Sequence, residues 1–481
     1  MAFDKAEDRC CSGKGSGQQM SLMVIGAGSA GFSAAITAAE AGAAVTLVGT
    51  GTIGGTCVNV GCVPSKTMIR AVEPLYQARH ASRFDGISSA ATVLNWQATV
   101  TQKQQLVDEL RQAKYTDVLP SHPGVTYVEG KARLTADGVL VDGILFRPDK
   151  IIIATGSSNA VPPIPGIDGV PYLDSTSALD LATLPASMIV IGGGVIGCEL
   201  SQMFARAGVR VTICCRSRLL PGMEGEISEH LARYLEDEGI RVLSGLDYHS
   251  VTQENGTVTL TYQQDGNRRT LAAETLLLAA GRRPNTEGLG LGEAGVAVNA
   301  KGGIEVDITM RSSNPMIYAA GDVTGRDMVV YMAAYGAKLA ALNAIGGEER
   351  PYDNAAMPEV VFTDPQVASV GLTAAQARGQ GIDVKTSLIT LDHVPRYLAA
   401  RDTRGLIKLV ADKATDRLIG AHILAPEGGE LIQTAVMAIK AGMTTKELGQ
   451  TIFPYLTGVE GLKLAVQTFD KDVSTLSCCA G

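Results

Sequence analysis

Two stretches of this chain share one grammar, and they constrain its fold more than any other feature. "SLMVIGAGSAGFSAAITAAEAGAAVTLV" is an apolar run, then Gly26, Gly28 and Gly31 spaced as G-x-G-x-x-G, then an Ala-rich segment and a second apolar run. "MIVIGGGVIGCELSQMFARAGVRVTICC" repeats the pattern with Gly192, Gly194 and Gly197. In both, the glycines fall where a strand gives way to a helix. The first two let the backbone approach a pyrophosphate at the helix N-terminus, and the third lets the helix pack closely on the sheet. Two such units predict two bound dinucleotides. A flavin and a nicotinamide are the pair between which a hydride passes. The expected fold class is α/β with two Rossmann-like domains.

The second strands of the two units end differently. An NAD site would place Asp or Glu on the ribose at that point. The second unit reads "TICCRSR", with Cys215 near the position and Arg216 and Arg218 following. Arginines there suit a 2′-phosphate, so NADPH is the expected nicotinamide. The first unit reads "VTLVGTGTIGG", with Gly49 where an acid for the adenosine ribose of FAD is expected. FAD remains the expected occupant.

Composition narrows the function classes. A net charge of -8 argues against nucleic acid, which needs a basic face. No apolar run approaches the roughly 20 residues of a membrane span. The opening "MAFDKAEDRCCSGKGSGQQM" has no apolar signal core and is expected to be a loose tail. A cytoplasmic location follows as an expectation, and there cysteines mark chemistry or metal more often than lasting disulfides. Six of the nine cysteines form adjacent pairs: Cys10–Cys11, Cys214–Cys215 and Cys478–Cys479. Cys198 follows the third glycine of the second fingerprint and reads as core, and Cys214 and Cys215 read as strand-end packing.

Cys57 and Cys62 lie in "GGTCVNVGCVPSKTMIR", which runs into a helix near Pro64. Near a helix N-terminus and with Lys66 close behind, Cys62 is expected to have a lowered pKa and to be largely thiolate. Zinc is the alternative, but no Cys or His cluster completes a four-ligand site.

This segment resembles the active-site disulfide of the pyridine nucleotide–disulfide oxidoreductases, the family of glutathione reductase and dihydrolipoamide dehydrogenase. "IIIATGS" and "LLLAAGRRPNT" are similar to the strand ends that close its nucleotide domains. "IYAAGDVTG" resembles its second flavin motif, and "MPEVVFTDPQVASVG" the start of its dimerisation domain. The resemblance implies flavin contacts from Thr56, Thr155, Gly156 and Asp322, the last on the ribityl chain. It implies Cys57 as the interchange thiol and Cys62 as the charge-transfer thiol. Lys66, paired with Glu199, would stabilise anionic reduced flavin. Implied domains are a tail at 1–20, an FAD domain at 21–158 and 285–350, an NADPH domain at 159–284, and an α+β dimerisation domain at 351–481. A homodimer with shared active sites is expected.

The family's C-terminal region carries a histidine oriented by a glutamate. Here "IFPYLTGVEGLKLA" has Tyr455 in the histidine's place and keeps Glu460. A phenol with a reference pKa of about 10 is a poor acid/base for thiol exchange at neutral pH. Together with the terminal "SCCAG", this resembles the mercury-handling branch of the family. The resemblance implies reduction of Hg(II) to Hg(0) by NADPH through FAD. Cys478 and Cys479 would collect Hg(II) from small thiols and pass it to Cys57 and Cys62 of the partner subunit. Tyr455 and Tyr115, the latter in "LRQAKY", would line the inner site. Hg(II) is soft and prefers thiolate. Adjacent cysteines have Cα atoms about 3.8 Å apart, below the usual disulfide range of about 4.4–6.8 Å, and so favour metal capture over a stable disulfide. Cys10 and Cys11 read as a scavenging pair or as part of a dispensable tail. The rivals are a thioredoxin reductase-like or dihydrolipoamide dehydrogenase-like enzyme, which needs the absent histidine, and a non-catalytic flavoprotein that sequesters soft metal.

Overall fold

The computed structural model describes residues 19–346 and 349–473. It forms two compact units. The first comprises the chain up to Ile53, Asp117–Thr155 and Thr286–Pro351. Its centre is a parallel sheet in the order β17-β7-β1-β2-β3. The strands are β1 (Ser21–Ile25), β2 (Ala44–Gly49), β3 (Val125–Glu129), β7 (Lys150–Ile153) and β17 (Ile317–Ala319). β1 reads SLMVI and is buried after its first residue, as expected of an inner parallel strand covered on both faces. Helix α1 (Ser29–Glu40) crosses from β1 to β2 and packs against α8 (Val330–Gly346). The buried positions of both are mostly Ala and Gly, which let two backbones approach. A small antiparallel meander, β4 (Ala132–Thr135), β5 (Gly138–Val141) and β6 (Ile144–Phe146), completes the unit. Leu134, Val139 and Val141 from it join Met23, Ile25, Ile151 and Ile153 in one apolar core.

The second unit comprises Gly54–Thr116, Gly156–Asn285 and the chain from Tyr352 onward. It holds the second parallel sheet, in the order β11-β10-β9-β15. These strands are β9 (Ser187–Ile191), β10 (Arg210–Cys214), β11 (Arg241–Leu243) and β15 (Thr275–Leu278), with α6 (Val195–Arg206) as the first crossover and α7 (Gly225–Asp237) as the second. An antiparallel meander follows: β12 (Asp247–Glu254), β13 (Thr257–Gln264) and β14 (Asn267–Ala273). Its two turns are Asn255-Gly256 and Asp265-Gly266, all four residues at positive φ, the chemistry that tight hairpins demand. Strands β8 (Ser157–Asn159) and β16 (Arg282–Pro284) pair as a short ribbon.

The same unit holds an antiparallel sheet in the order β18-β19-β22-β21-β20. It is built from β18 (Pro358–Val361), β19 (Gln366–Gly371), β20 (Val384–Thr390), β21 (Leu406–Asp412) and β22 (Leu418–Ala425). Helices α11 (Gly428–Lys440) and α13 (Glu460–Gln467) cover it, with the short α10 (Pro395–Ala399) nearby. Three further short helices open on reciprocal caps: α5 (Ser175–Leu179) at Asp174, α9 (Ala374–Gly379) at Thr373 and α12 (Thr445–Gln450) at Thr444. The remaining helices are α2 (Gly55–Asn59), α3 (Cys62–Arg79) and α4 (Trp96–Arg111). The expected class holds: α/β, with two Rossmann-like units and a C-terminal α+β part. Among the described residues no helix is long and apolar enough to cross a membrane.

Candidate active site

In the first unit, β1 leads into a turn that only glycine can make. Gly26 has φ +119°, and a Cβ there would meet the Ala154 carbonyl oxygen at 2.2 Å. A Cβ on Gly31 would meet the Gly26 carbonyl oxygen at 1.6 Å, so α1 is pressed onto its own turn. Gly28 is the N-cap of α1 and supplies no capping side chain, and no acid occupies the first helical turn. That combination suits a pyrophosphate. Asp322 opens a 3₁₀ turn beside it, because a Cβ on the preceding Gly321 would lie 3.2 Å from the Ala30 Cβ on α1. Thr155 is equally close, its nitrogen 3.0 Å from the Cβ that Gly26 lacks. Gly26, Gly28, Gly31, Thr155 and Asp322 thus gather around one turn, and this cradle fits a dinucleotide such as FAD.

The second unit repeats the device. Gly192 has φ +125° and a Cβ on it would meet the Ala279 carbonyl oxygen at 2.2 Å, while one on Gly197 would meet the Gly192 oxygen at 2.0 Å. Gly194 caps α6 with no side chain, and a Cβ there would face open space. This cradle also fits a dinucleotide. Gly156, with φ +71°, belongs to this unit, where its carbonyl accepts the Asn285 N–H. The two arginines after β10 part company. Arg216 is exposed. Arg218 folds back into its own loop, where its guanidinium donates to the carbonyls of Pro221, Met223 and Glu224 and to the Ser228 hydroxyl. Cys215 packs against Gly193, its Sγ 3.5 Å from the Leu243 carbonyl, and burial raises its pKa. Burial pushes Cys214 up to about 12 and Cys198 higher still, so these three thiols stay protonated core groups.

The thiol pair sits on two helices, the short α2 and the long α3, separated by Val60 and Gly61. Gly54 and Gly55, both at positive φ, launch α2 with Thr56 and Cys57. A Cβ on Gly61 would meet the Thr56 carbonyl oxygen at 2.8 Å, so the link to Cys62, first residue of α3, must be glycine. Asn59 ties this loop down by donating to the Gly55 carbonyl at 2.9 Å and accepting from Arg111 on α4 at 3.1 Å. Cys57 is half-buried and Cys62 exposed, both are free thiols, and they share a hydrogen bond. That bond, followed by the charge of Lys66, pulls Cys62 down from 9.0 to about 7, although burial opposes the shift. The same bond, with burial and the negative charge on Cys62, pushes Cys57 far up. One proton is therefore held between two sulfurs, and it stays on Cys57.

Lys66 stands one turn further along α3. Its ammonium donates to a Glu199 carboxylate oxygen at 2.7 Å and lies 4.8 Å from the centre of the Phe362 ring. Glu199, on α6, is buried, and its other oxygen accepts the Phe362 N–H at 2.9 Å. Tyr115 lies in a π-helical turn, Gln112–Thr116, at the end of α4. A Cβ on Gly54 would stand 3.2 Å from its ring, so Tyr115 is brought against the turn that carries Cys57. Such turns recur at functional sites. Tyr455 lies in a different loop and is 57% exposed. Glu460 is buried at the start of α13, and its carboxylate accepts the N–H of Leu456, which has φ +59°. Cys10, Cys11, Cys478 and Cys479 lie outside the described residues.

Sequence reasoning did not find Asn59, Arg111 or Phe362. Phe362 lies within "MPEVVFTDP", the run already singled out, but neither Asn59 nor Arg111 carries a local signal. Among the described residues no three His, Cys, Asp or Glu side chains come together as a metal site, so the thiol pair is a two-sulfur centre.

Two dinucleotide turns, a polarised dithiol and a C-terminal antiparallel sheet are the parts of one enzyme class. The chain belongs to the pyridine nucleotide-disulphide oxidoreductase family, whose profile matches residues 20–340 and whose dimerisation domain matches residues 357–466. Within it, the chain groups with the mercuric reductases. It is 47% identical to mercuric reductase of Acidithiobacillus ferrooxidans over 97% of this chain and 85% of that one. It is 44% identical to the Streptomyces lividans mercuric reductase over 96% of this chain and 98% of the other. Among solved structures, the HOCl-induced flavoprotein disulfide reductase RclA of Escherichia coli shares 31% identity with a TM-score of 0.82, covering 93% of this chain and 99% of its own. LpdA of Mycobacterium tuberculosis shares 27% identity with a TM-score of 0.83 and the same coverage. The chain is an oxidoreductase.

Proposed function

We propose that this chain reduces Hg(II) to Hg(0) with NADPH as electron donor and FAD as carrier, and that Cys57 and Cys62 hold the ion. The observation that carries this reading is the two-sulfur centre with its split protonation and with tyrosine, not histidine, at position 455. Gly26, Gly28, Gly31, Thr155 and Asp322 would hold FAD, joined by Thr56, Gly156 and Lys66. Gly192, Gly194 and Gly197 would hold NADPH, with Arg216 and Arg218 as the sequence-based candidates for its 2′-phosphate. When bound, FAD and NADPH supply the electron pair that the reduction requires.

The chain's own groups do the rest. Cys62, reacting as its thiolate, displaces one thiolate from a bis-thiolate Hg(II) complex. Cys57 displaces the second and gives its proton to the departing thiolate. The products are the ion on both sulfurs, one free thiolate and one free thiol. Two electrons then reduce the ion, both cysteine sulfurs are released as thiolates, and Cys57 regains a proton from solvent. Neutral mercury has little hold on sulfur and leaves. No separate acid is needed, because Cys57 supplies the one proton that leaves with a thiolate. Lys66, kept in place by Glu199, stabilises the negative charge that gathers here.

The reading extends to a cytoplasmic homodimer built on the dimerisation domain. Tyr115 and the partner subunit's Tyr455 would attend the ion. Cys478 and Cys479 would collect it from small thiols and deliver it across the dimer. The domain bounds of the sequence reading, with NADPH at 159–284 and dimerisation at 351–481, belong to the same proposal.

The test is NADPH oxidation by the purified protein in excess small thiol, with and without Hg(II), while mercury loss from solution is followed. Hg(II)-dependent oxidation matched by mercury loss is expected. Inhibition by Hg(II) would overturn the reading and point to disulfide substrates. Replacing Cys478 and Cys479 by Ala should lower kcat/KM for Hg(II) in excess thiol while the two-sulfur centre still titrates.

A further inference from the structure

We propose that the Tyr127 hydroxyl makes the adenosine-ribose contact of FAD that an acid at position 49 would otherwise make. The inference rests on the FAD reading of the first unit. A Rossmann unit places an acid about 20 residues after its fingerprint, at the end of the second strand, to bind the ribose. Here that strand, β2, ends at Gly49. Backbone conformation does not demand glycine there, since Gly49 is absent from the residues at positive φ. Space demands it. A Cβ on Gly49 would stand 2.6 Å from the Ala27 Cβ, 2.8 Å from the Tyr127 hydroxyl and 3.1 Å from its ring.

The phenol therefore occupies the place where a side chain from position 49 would begin. Ala27 lies between the first two fingerprint glycines, so this place borders the phosphate turn. Tyr127 reaches it from the adjacent strand: β3 pairs with β2 in the register Leu47–Tyr127 and Gly49–Glu129, and the ring spans the two-residue step from Leu47 to Gly49. Burial, then the charge of Glu129, raises the pKa of Tyr127, so the group stays a neutral hydroxyl that can donate and accept. An acid would put negative charge beside the pyrophosphate, and a phenol does not. The rival group is Glu129, exposed and in register with Gly49.

Apoprotein titrated with FAD and with FAD lacking the adenosine 2′-hydroxyl, read by flavin fluorescence, separates these cases. The native chain should bind the analogue about five- to tenfold more weakly, the worth of one net hydrogen bond. Tyr127→Phe should bind both flavins alike, at the affinity the native chain has for the analogue. Gly49→Glu alone should lose FAD for want of room, and Gly49→Glu combined with Ala27→Gly and Tyr127→Ala, which clear both side chains a Cβ would meet, should recover the preference for FAD over the analogue. A Tyr127→Phe protein that still discriminates, or a Glu129→Gln protein that no longer does, would overturn the proposal. A native chain that binds FAD without discriminating would overturn it while leaving the flavin reading intact, and one that binds no FAD would overturn both.

Discussion

Alkylation of the reduced protein across the pH range reads the charge on Cys62 directly. An ordinary thiol at 9.0 is about 1% ionised at pH 7, whereas one pulled down to about 7 is half ionised. The difference is roughly fiftyfold in the reactive form, a gap no steric detail at an exposed sulfur should hide. Two groups produce it, the Cys57 hydrogen bond first and the Lys66 charge after it. Cys57→Ala removes the larger contribution and leaves the burial penalty, so the midpoint should climb to about 8 or above. Lys66→Met should move it in the same direction by less than about one unit. The assay is pulsed iodoacetamide labelling between about pH 5 and about pH 10, with peptide mass spectrometry to assign the labelled sulfur. A Cys57→Ala midpoint still near 7 would refute the hydrogen bond as cause. Label arriving on Cys57 before Cys62 in the native protein would refute the proton assignment itself.

Other perturbations test the surrounding frame. Glu199→Leu strands both the Lys66 ammonium and the Phe362 N–H and should cost about 3 kcal/mol in urea unfolding, with Glu199→Gln costing clearly less; equal midpoints for all three proteins would contradict this. Arg216→Ala should raise KM for NADPH about tenfold and leave NADH unchanged, while Arg218→Ala, which loses four hydrogen bonds in its loop, should lower Tm and leave cofactor preference alone. The reverse pattern would reassign the phosphate contact to Arg218. Burial holds His422 below its ordinary 6.5, beside Lys408, Glu224 and Glu226, so the folded protein keeps the ring neutral where the unfolded chain takes up a proton. Its stabilising share is therefore complete above about pH 6.5 and lost as pH falls below it, and His422→Gln should flatten that limb of a stability-versus-pH curve. An unchanged limb would assign it to other groups.

What was legible in the sequence was what local sterics write into it. Gly26 and Gly192 sit at nearly the same φ, and each third glycine has a carbonyl where a Cβ would go, so both fingerprints had to appear as glycines at fixed spacing. The lysine that helps lower the pKa of Cys62 was likewise legible one turn on, but the larger cause, the Cys57 hydrogen bond, was not. Arg216 and Arg218 looked alike as neighbours in a basic run. Only the loop before α7 distinguishes them, by turning one inward onto carbonyls that no pattern announces. Asn59 meets Arg111, and Glu199 meets the Phe362 amide, through long-range contacts with no period to betray them. Gly49 was visible as a departure from the acid expected there, but the phenol that helps crowd it lies on a strand adjacent in space and remote in sequence.

The Glu460–Leu456 bond bears on how this site could change its trade. The family resemblance implies that a glutamate at this place serves a histidine in the disulfide reductases. In this chain one of its oxygens is already engaged by the Leu456 amide and holds that residue in a left-handed backbone conformation. A histidine substituted for Tyr455 would arrive beside a carboxylate already tethered to the loop that carries it. Reversion to proton chemistry would thus need the loop re-formed as well as the side chain exchanged.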